Sequence, residues 1–365
     1  MSYTVQKNSL MDQQVDLDLQ VITDHLKAEF EDMVGLVLVG GFGRGEGGLI
    51  LQNGQYRPEN DYDFEMITNE TVDAKKLHQI ERQLAQKLDV KWVHIESRKK
   101  QSLPHLPFTQ YIYDLKYGGR VIYGPKDLLQ AIPSMSNSAM PLCEGEKLLH
   151  TRLWCFLGAY TADFETREPT KEETSFLISQ MSKALLAICD AHLMLRGDYQ
   201  VQYTNKSQHF LDNTSAPEDL KKLIRWATQY KLNPEEADKP NPLTLFQLTR
   251  THFLETLFNF AQNARKTRFK DWMDYGQHFQ GWVTPTPRRT RLKWIIKKII
   301  GRQTSDDRYV DLVRLKLYMV VASETTQNQA YLKQCHALLT KYKIETSIPE
   351  NWESMRKNTL ELLGI

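Results

Sequence analysis

The sequence predicts an α+β protein: a small mixed sheet with its helices in residues 1–135, followed by an α-helical bundle in residues 136–365. Three observations predict it. Short strand-like segments alternate with helical ones over the first third of the chain. From Glu144 onward the helical period takes over and strand signals become rare. Between the two lies Pro-Ser-Met-Ser-Asn-Ser-Ala-Met-Pro at 133–141, a stretch with linker composition.

Taken in order, residues 16–30 place Val21, Ile22, Leu26 and Phe30 on one helical face. Residues 35–39 are an apolar run closed by Gly40, the pattern of a buried strand. The alternation in 62–67 predicts a second strand. In 71–88, Val72, Leu77, Ile80, Leu84 and Leu88 recur at helical spacing, with Asp73 in the first turn. Residues 90–96 predict a third strand and 120–123 a short fourth, closed by Gly124 and Pro125. The second half predicts helices at 145–163, 171–195, 217–230, 242–262 and 306–325, punctuated by Gly197, Pro240, Pro285 and Pro287. Helices of this kind pack as a bundle.

Composition narrows the function classes. The chain has 365 residues, 41% hydrophobic and 25% charged, which is enough apolar material for a packed core. Its 47 basic and 45 acidic residues leave a net charge of +2, so bulk charge does not mark a nucleic-acid binder and any basic site must be local. Cys143, Cys155, Cys189 and Cys335 lie far apart with no CxxC pair, which excludes a zinc ribbon and fits a reducing cytoplasm. The N-terminus has no apolar signal core, and no window reaches the roughly 18 apolar residues that a spanning helix needs. A soluble, cytoplasmic protein is expected.

The most informative stretch is LVLVGGFGRGEGG at 36–48, followed by ENDYDFEMI at 59–67. A buried strand enters Gly40 and Gly41, where the missing side chains let backbone N–H groups approach an anion closely. Arg44 adds a fixed positive charge of forked geometry. The bland alternative is a plain strand-to-helix turn. GxxxxGK[ST] is absent and GGFGRG is not a clean GxGxxG, which disfavours a Walker loop and a dinucleotide fold. Asp61 and Asp63 are two apart on a strand, so their carboxylates share a face while Tyr62, Phe64 and Met66 take the buried one. Two like charges so close are costly unless a cation joins them. Magnesium fits, because it binds through one or two carboxylates plus substrate phosphates.

Gly40-Gly41 after an apolar strand, then Arg44-Gly45-Glu46, then NDYDFEM, resembles nucleotidyltransferases of the DNA polymerase beta type over about residues 30–125. The likeness is strongest to stand-alone bacterial members that modify small molecules or antibiotics. It implies that Gly40 and Gly41 hold a triphosphate, with Arg44 beside them, and that Asp61 and Asp63 hold two Mg²⁺ ions. It also implies a third acid on a neighbouring strand. Glu96 in Lys-Trp-Val-His-Ile-Glu is the carboxylate nearest that place, His94 shares its face, and Asp114 in YIYDLKYGG is a further candidate. Two departures stand out: Gly41 replaces the commoner Ser, and the long gap from Gly41 to Asp61 implies an inserted loop around 49–58.

The expected activity is therefore Mg²⁺-dependent transfer of a nucleoside monophosphate from an NTP to a hydroxyl or phosphate acceptor, releasing pyrophosphate. The alternative is a catalytically impaired nucleotide-binding or regulatory module of the same fold. A ribonuclease of the HEPN class needs Arg and His four to six residues apart on a helix; Arg98 and His105 sit instead in a proline-containing segment. In the helical half, Gln180, Lys183 and Asp190 fall near one helix face and either line an acceptor cleft or form a solvated stripe. His192 and His209 read as ordinary histidines. The basic amphipathic stretch RRTRLKWIIKKIIGR at 288–302 predicts either contact with an anionic membrane, and hence a lipid-linked acceptor and a peripheral place at the inner membrane face, or a bundle helix with a solvated basic side. No other long basic surface argues for a nucleic-acid partner.

Overall fold

The computed structural model describes residues 2–52, 54–59, 61–281, 305–323, 329–342, 344 and 351–364. The basic stretch 288–302 lies outside the described residues. The chain forms two compact units: Met1–Pro141 with Arg196–Asp238, and Leu142–Leu195 with Lys239–Ile365.

The first unit opens with helix α1, Ser9–Glu29, which starts earlier than its apolar spacing alone implies because the Asn8 side chain accepts from the N–H groups of Leu10 and Met11. Strand β1, Met33–Leu38, runs into a single helical turn, α2, Gly40–Gly43. A hairpin follows, β2 Leu49–Gln52 and β3 Gln55–Pro58, where the sequence predicts only a loop. Then come β4 Asp61–Thr68, α3 Ala74–Leu88, β5 Trp92–Lys99, α4 Gln110–Gly118 and β6 Arg120–Tyr123. Helix α4 is unforeseen in the sequence. Thr109 caps it by accepting from Ile112 N–H, and it buries only Ile112 and Leu115, too short a stripe to stand out as periodic.

The main sheet has the order β5-β4-β1-β6. β1 pairs antiparallel with β4 and β6, and β4 pairs parallel with β5, so the sheet is small and mixed. Strand alternation sorts side chains between two cores. Leu36, Leu38, Tyr62, Phe64, Met66, Val93 and Ile95 join the apolar stripes of α1 and α3 in one. On the opposite face, Val37, Val39 and Ile67 pack with Ile112 and Leu115 of α4. Asp61 and Asp63 lie on this second face, half-buried.

Two further helices belong to this unit, α7 Tyr203–Asn213 and α8 Glu218–Leu232. The chain passes to the second unit after Pro141, returns at Arg196 and leaves again after Asp238. The return is anchored by polar chemistry that no periodicity records: Gln202 gives α7 no side-chain cap, and the buried Glu46 carboxylate supplies one instead.

In the second unit the described residues form helices and no strand: α5 Leu142–Ala159, α6 Lys171–Arg196, whose last residue is assigned to the first unit, α9 Pro242–Arg265, α10 Trp272–His278, and three more at Ser305–Ala322, Gln329–Lys341 and Trp352–Leu363. Its core holds a hydrogen-bonded chain. Tyr275 Oη donates to Glu146 Oε1 at 2.6 Å, Arg265 Nε donates to the same oxygen at 2.8 Å, and His150 Nε2 lies 2.7 Å from Tyr275 Oη. Gln180 and Asp190 of α6 are 3% and 6% exposed, so they form no solvated stripe. His192 meets Thr256. None of the helices among the described residues is long and apolar enough to cross a membrane.

Candidate functional site

At one end of the sheet, β1 delivers the glycine turn and β4 delivers its acids. Val39 N–H donates to the Asp63 carbonyl at 2.9 Å, which fixes the two segments against each other. Gly40 adopts φ +62°, and a Cβ there would stand 2.3 Å from Asp63 Oδ2. Only glycine allows both the backbone twist and the close seat of the carboxylate. A Cβ on Gly41 would come within 3.1 Å of the Glu46 carbonyl. The structure thus brings Gly40, Gly41 and Asp63 together, with Asp61 two residues back on the same face of β4.

The electrostatics of the pair are unfavourable as it stands. Burial first, and the Asp61 charge second, push the Asp63 carboxyl up to about 6; His94, Lys231 and Arg44 pull it the other way. Among the described residues none donates a hydrogen bond to either carboxylate. The buried acids elsewhere in the unit are treated differently. Asp18 accepts from Tyr62 Oη and Gln14. Glu46 accepts from Tyr203 N–H at 2.7 Å, Thr204 N–H at 3.0 Å and Thr204 Oγ1 at 2.8 Å. Glu65, next on the face that carries Asp61 and Asp63, accepts from Tyr111 Oη at 2.5 Å and lies 2.6 Å from Arg98 Nε, a charge contact outside hydrogen-bond alignment.

The parallel register settles what stands beside the pair. Asp61 faces Trp92, Asp63 faces His94, and Glu65 faces Glu96. Glu96 is therefore one step further along the strand than Asp63, exposed, with its Oε1 3.6 Å from His94 Nε2. His94 Nδ1 lies 3.4 Å from Glu81 Oε1. No group of three or more His, Cys, Asp or Glu among the described residues is arranged to hold a metal ion.

The other sequence candidates make contacts of their own. Arg44 is half-buried, its guanidinium 4.9 Å from the centre of the Tyr203 ring. Burial disfavours its charge, but Tyr203, Asp114 and Glu46 outweigh that and hold it protonated. Asp114 lies on α4 and accepts from Tyr199 Oη through both oxygens at 3.1 Å. Arg98 is bound to Glu65, and His105 ends a 3-10 turn. His209 pairs with Asp198 at 2.8 Å.

Sequence reasoning passed over Glu46, buried Lys206 and Lys231. Lys206 donates to Tyr199 Oη at 3.1 Å and sits 4.6 Å from the centre of that ring. Glu46 was in view as the last residue of Arg-Gly-Glu, but its partners lie more than 150 residues away, and no local pattern reveals them. Comparison with protein-family models and with curated proteins finds no match to this chain.

Proposed function

We propose that the first unit is a Mg²⁺-dependent nucleotidyltransferase of the DNA polymerase beta type, moving a nucleoside monophosphate from an NTP to a hydroxyl or phosphate acceptor. The supporting observation is the Asp61–Asp63 pair: half-buried, without a hydrogen-bond donor among the described residues, and seated against a glycine turn. Leaving two like charges in this state costs stability, and a divalent cation removes that cost.

The residues fit magnesium. It needs only one or two protein carboxylates when triphosphate oxygens and water complete the shell, so the absence of a three-ligand group among the described residues is compatible with it. Asp61 and Asp63 would hold the metal, two ions by family likeness, and Gly40 and Gly41 would pass the triphosphate close to the backbone. Bound there, the metal supplies charge neutralisation for the transferring phosphoryl group. The protein's own part is positioning, which carries much of the catalysis in phosphoryl transfer. Glu96 is the proposed third carboxylate, on the strand beside the pair and 3.6 Å from His94, the residue that faces Asp63. The lipid-linked acceptor rests on 288–302 alone.

A second reading is favoured by one observation. The residue facing Asp63 is His94 rather than an acid, as in a module that binds nucleotide without turning it over.

Isothermal titration with NTP and Mg²⁺ tests the first reading. Wild type should bind only with the metal present, and Asp61→Asn with Asp63→Asn should abolish that binding. Unchanged affinity in the double variant sinks the assignment. Binding without pyrophosphate release selects the second reading.

A further inference from the structure

Beside the acid pair, a groove of about 990 Å³ runs along the outer edge of β5, walled by α3. Asp61 lines it, together with Trp92, Lys75, Arg82 and Lys91. It lies wholly within the first unit.

Three features give the groove a chemistry. Trp92 is 66% exposed, the most exposed large hydrophobic side chain among the described residues, and register pairing sets it beside Asp61. An indole left in water gains nothing for the fold, whereas a planar ligand stacked on it does gain. Second, the acid on the α3 wall, Glu81, is already engaged: it accepts from Ile95 N–H at 2.7 Å and from His78 at 2.7 Å. Third, the cations are directed outward. Lys75 and Arg82 stand seven residues apart on the groove face of α3, about 10 Å along its axis. Arg82 spends its Nε on the His78 carbonyl, and its forked end remains for a ligand. Lys91 binds the Glu59 carbonyl at 2.7 Å.

Position supplies the role. β4 lies between β1 and β5, so the acid pair has the glycine turn on one side and the groove on the other. Attacking and leaving oxygens in phosphoryl transfer are roughly in line. A donor triphosphate at the glycine turn therefore calls for an acceptor from the β5 side.

We propose that this groove is the acceptor subsite and takes a nucleotide-like molecule, a planar heteroaromatic ring stacked on Trp92 with a phosphate drawn to the Lys75 and Arg82 wall. This rests on the nucleotidyl-transfer reading of Asp61 and Asp63. In the step, an acceptor oxygen forms a bond to the α-phosphorus as the α–β bridging oxygen leaves with pyrophosphate. A hydroxyl acceptor gives its proton to solvent, and a phosphate oxygen has none to give.

The test is isothermal titration of the full chain in EDTA with adenosine 5′-monophosphate, adenosine and ribose 5-phosphate. The monophosphate should bind, and each half-molecule should bind at least tenfold more weakly. Trp92→Ala should weaken monophosphate binding about tenfold, in line with loss of one base stack. Lys75→Gln with Arg82→Gln should do the same and flatten the salt dependence. All three side chains face solvent, and unchanged melting temperatures confirm folding. Monophosphate affinity indifferent to Trp92→Ala, or no monophosphate binding at all, overturns the groove while leaving Mg²⁺-dependent NTP binding to stand by itself. Loss of that NTP binding in wild type, with monophosphate binding as expected, overturns the transfer reading and the acceptor role with it.

Discussion

Removing the charge at Asp63 should stabilise the metal-free protein. Burial and the neighbouring Asp61 raise this carboxyl from its ordinary 3.8 to about 6, which corresponds to about 3 kcal/mol of disfavour for its charged form. Screening at a half-buried site reduces the effect to about 1–3 kcal/mol. The sign follows from proton counting. Between pH 3.8 and about 6 the folded state binds more protons at Asp63 than the unfolded state does, so stability falls as pH rises through that window and stays low above it. Asp63→Asn lacks this loss. The charged groups acting on Asp63 are Asp61, His94, Lys231 and Arg44, and all of them remain in the variant. Urea denaturation in EDTA should therefore show the variant about 1–3 kcal/mol more stable than wild type at pH 8, with the gap closing towards pH 4. Added Mg²⁺ should raise wild type and leave the variant unmoved. A variant no more stable at pH 8, or a gap that does not change with pH, refutes the view that the pair is held in an unfavourable charged state.

Two more outcomes follow from the same electrostatics. Glu46→Ala should cost about 2–4 kcal/mol in urea denaturation, because it strands the N–H groups of Tyr203 and Thr204 at the start of α7. Arg98→Met leaves Glu65 buried with only Tyr111 and should cost about 3–5 kcal/mol near neutral pH, with Glu65→Gln in the same chain recovering part of it in thermal melts.

Much of the fold was legible because it rests on periodicity. The stripe Leu77, Ile80, Leu84, Leu88 marks α3, and the alternation Tyr62, Phe64, Met66 marks β4, since each faces one continuous core. What was hidden rests on long-range polar contacts or short stripes. Helix α4 buries two side chains, and the β2–β3 hairpin pairs only four residues with four. The return of residues 196–238 to the first unit depends on a carboxylate at position 46 reaching amides at 203 and 204. The register between β4 and β5 is likewise invisible to a single sequence. Alternation places His94 and Glu96 on one face, and only strand pairing says that His94 stands beside Asp63.

Strand β4 carries three acids in different surroundings along eight residues. Asp61, Asp63 and Glu65 share one face and one spacing, so alternation alone treats them as equals. Their surroundings do not. Glu65 is fully buried, and the Arg98 charge with the Tyr111 hydroxyl offsets part of the burial that raises its carboxyl. Asp63 and Asp61 have no such donors among the described residues, although His94, Lys231 and Arg44 act on Asp63 through their charge. Lys206 donates to Tyr199 and Arg44 lies over the Tyr203 ring. Partners are supplied to Glu65 and not to Asp61 and Asp63, which stand beside the glycine turn and, at Asp61, the open groove. A carboxylate pair held against its own repulsion and burial is one that a bound cation would relieve, and the magnesium proposal rests on that.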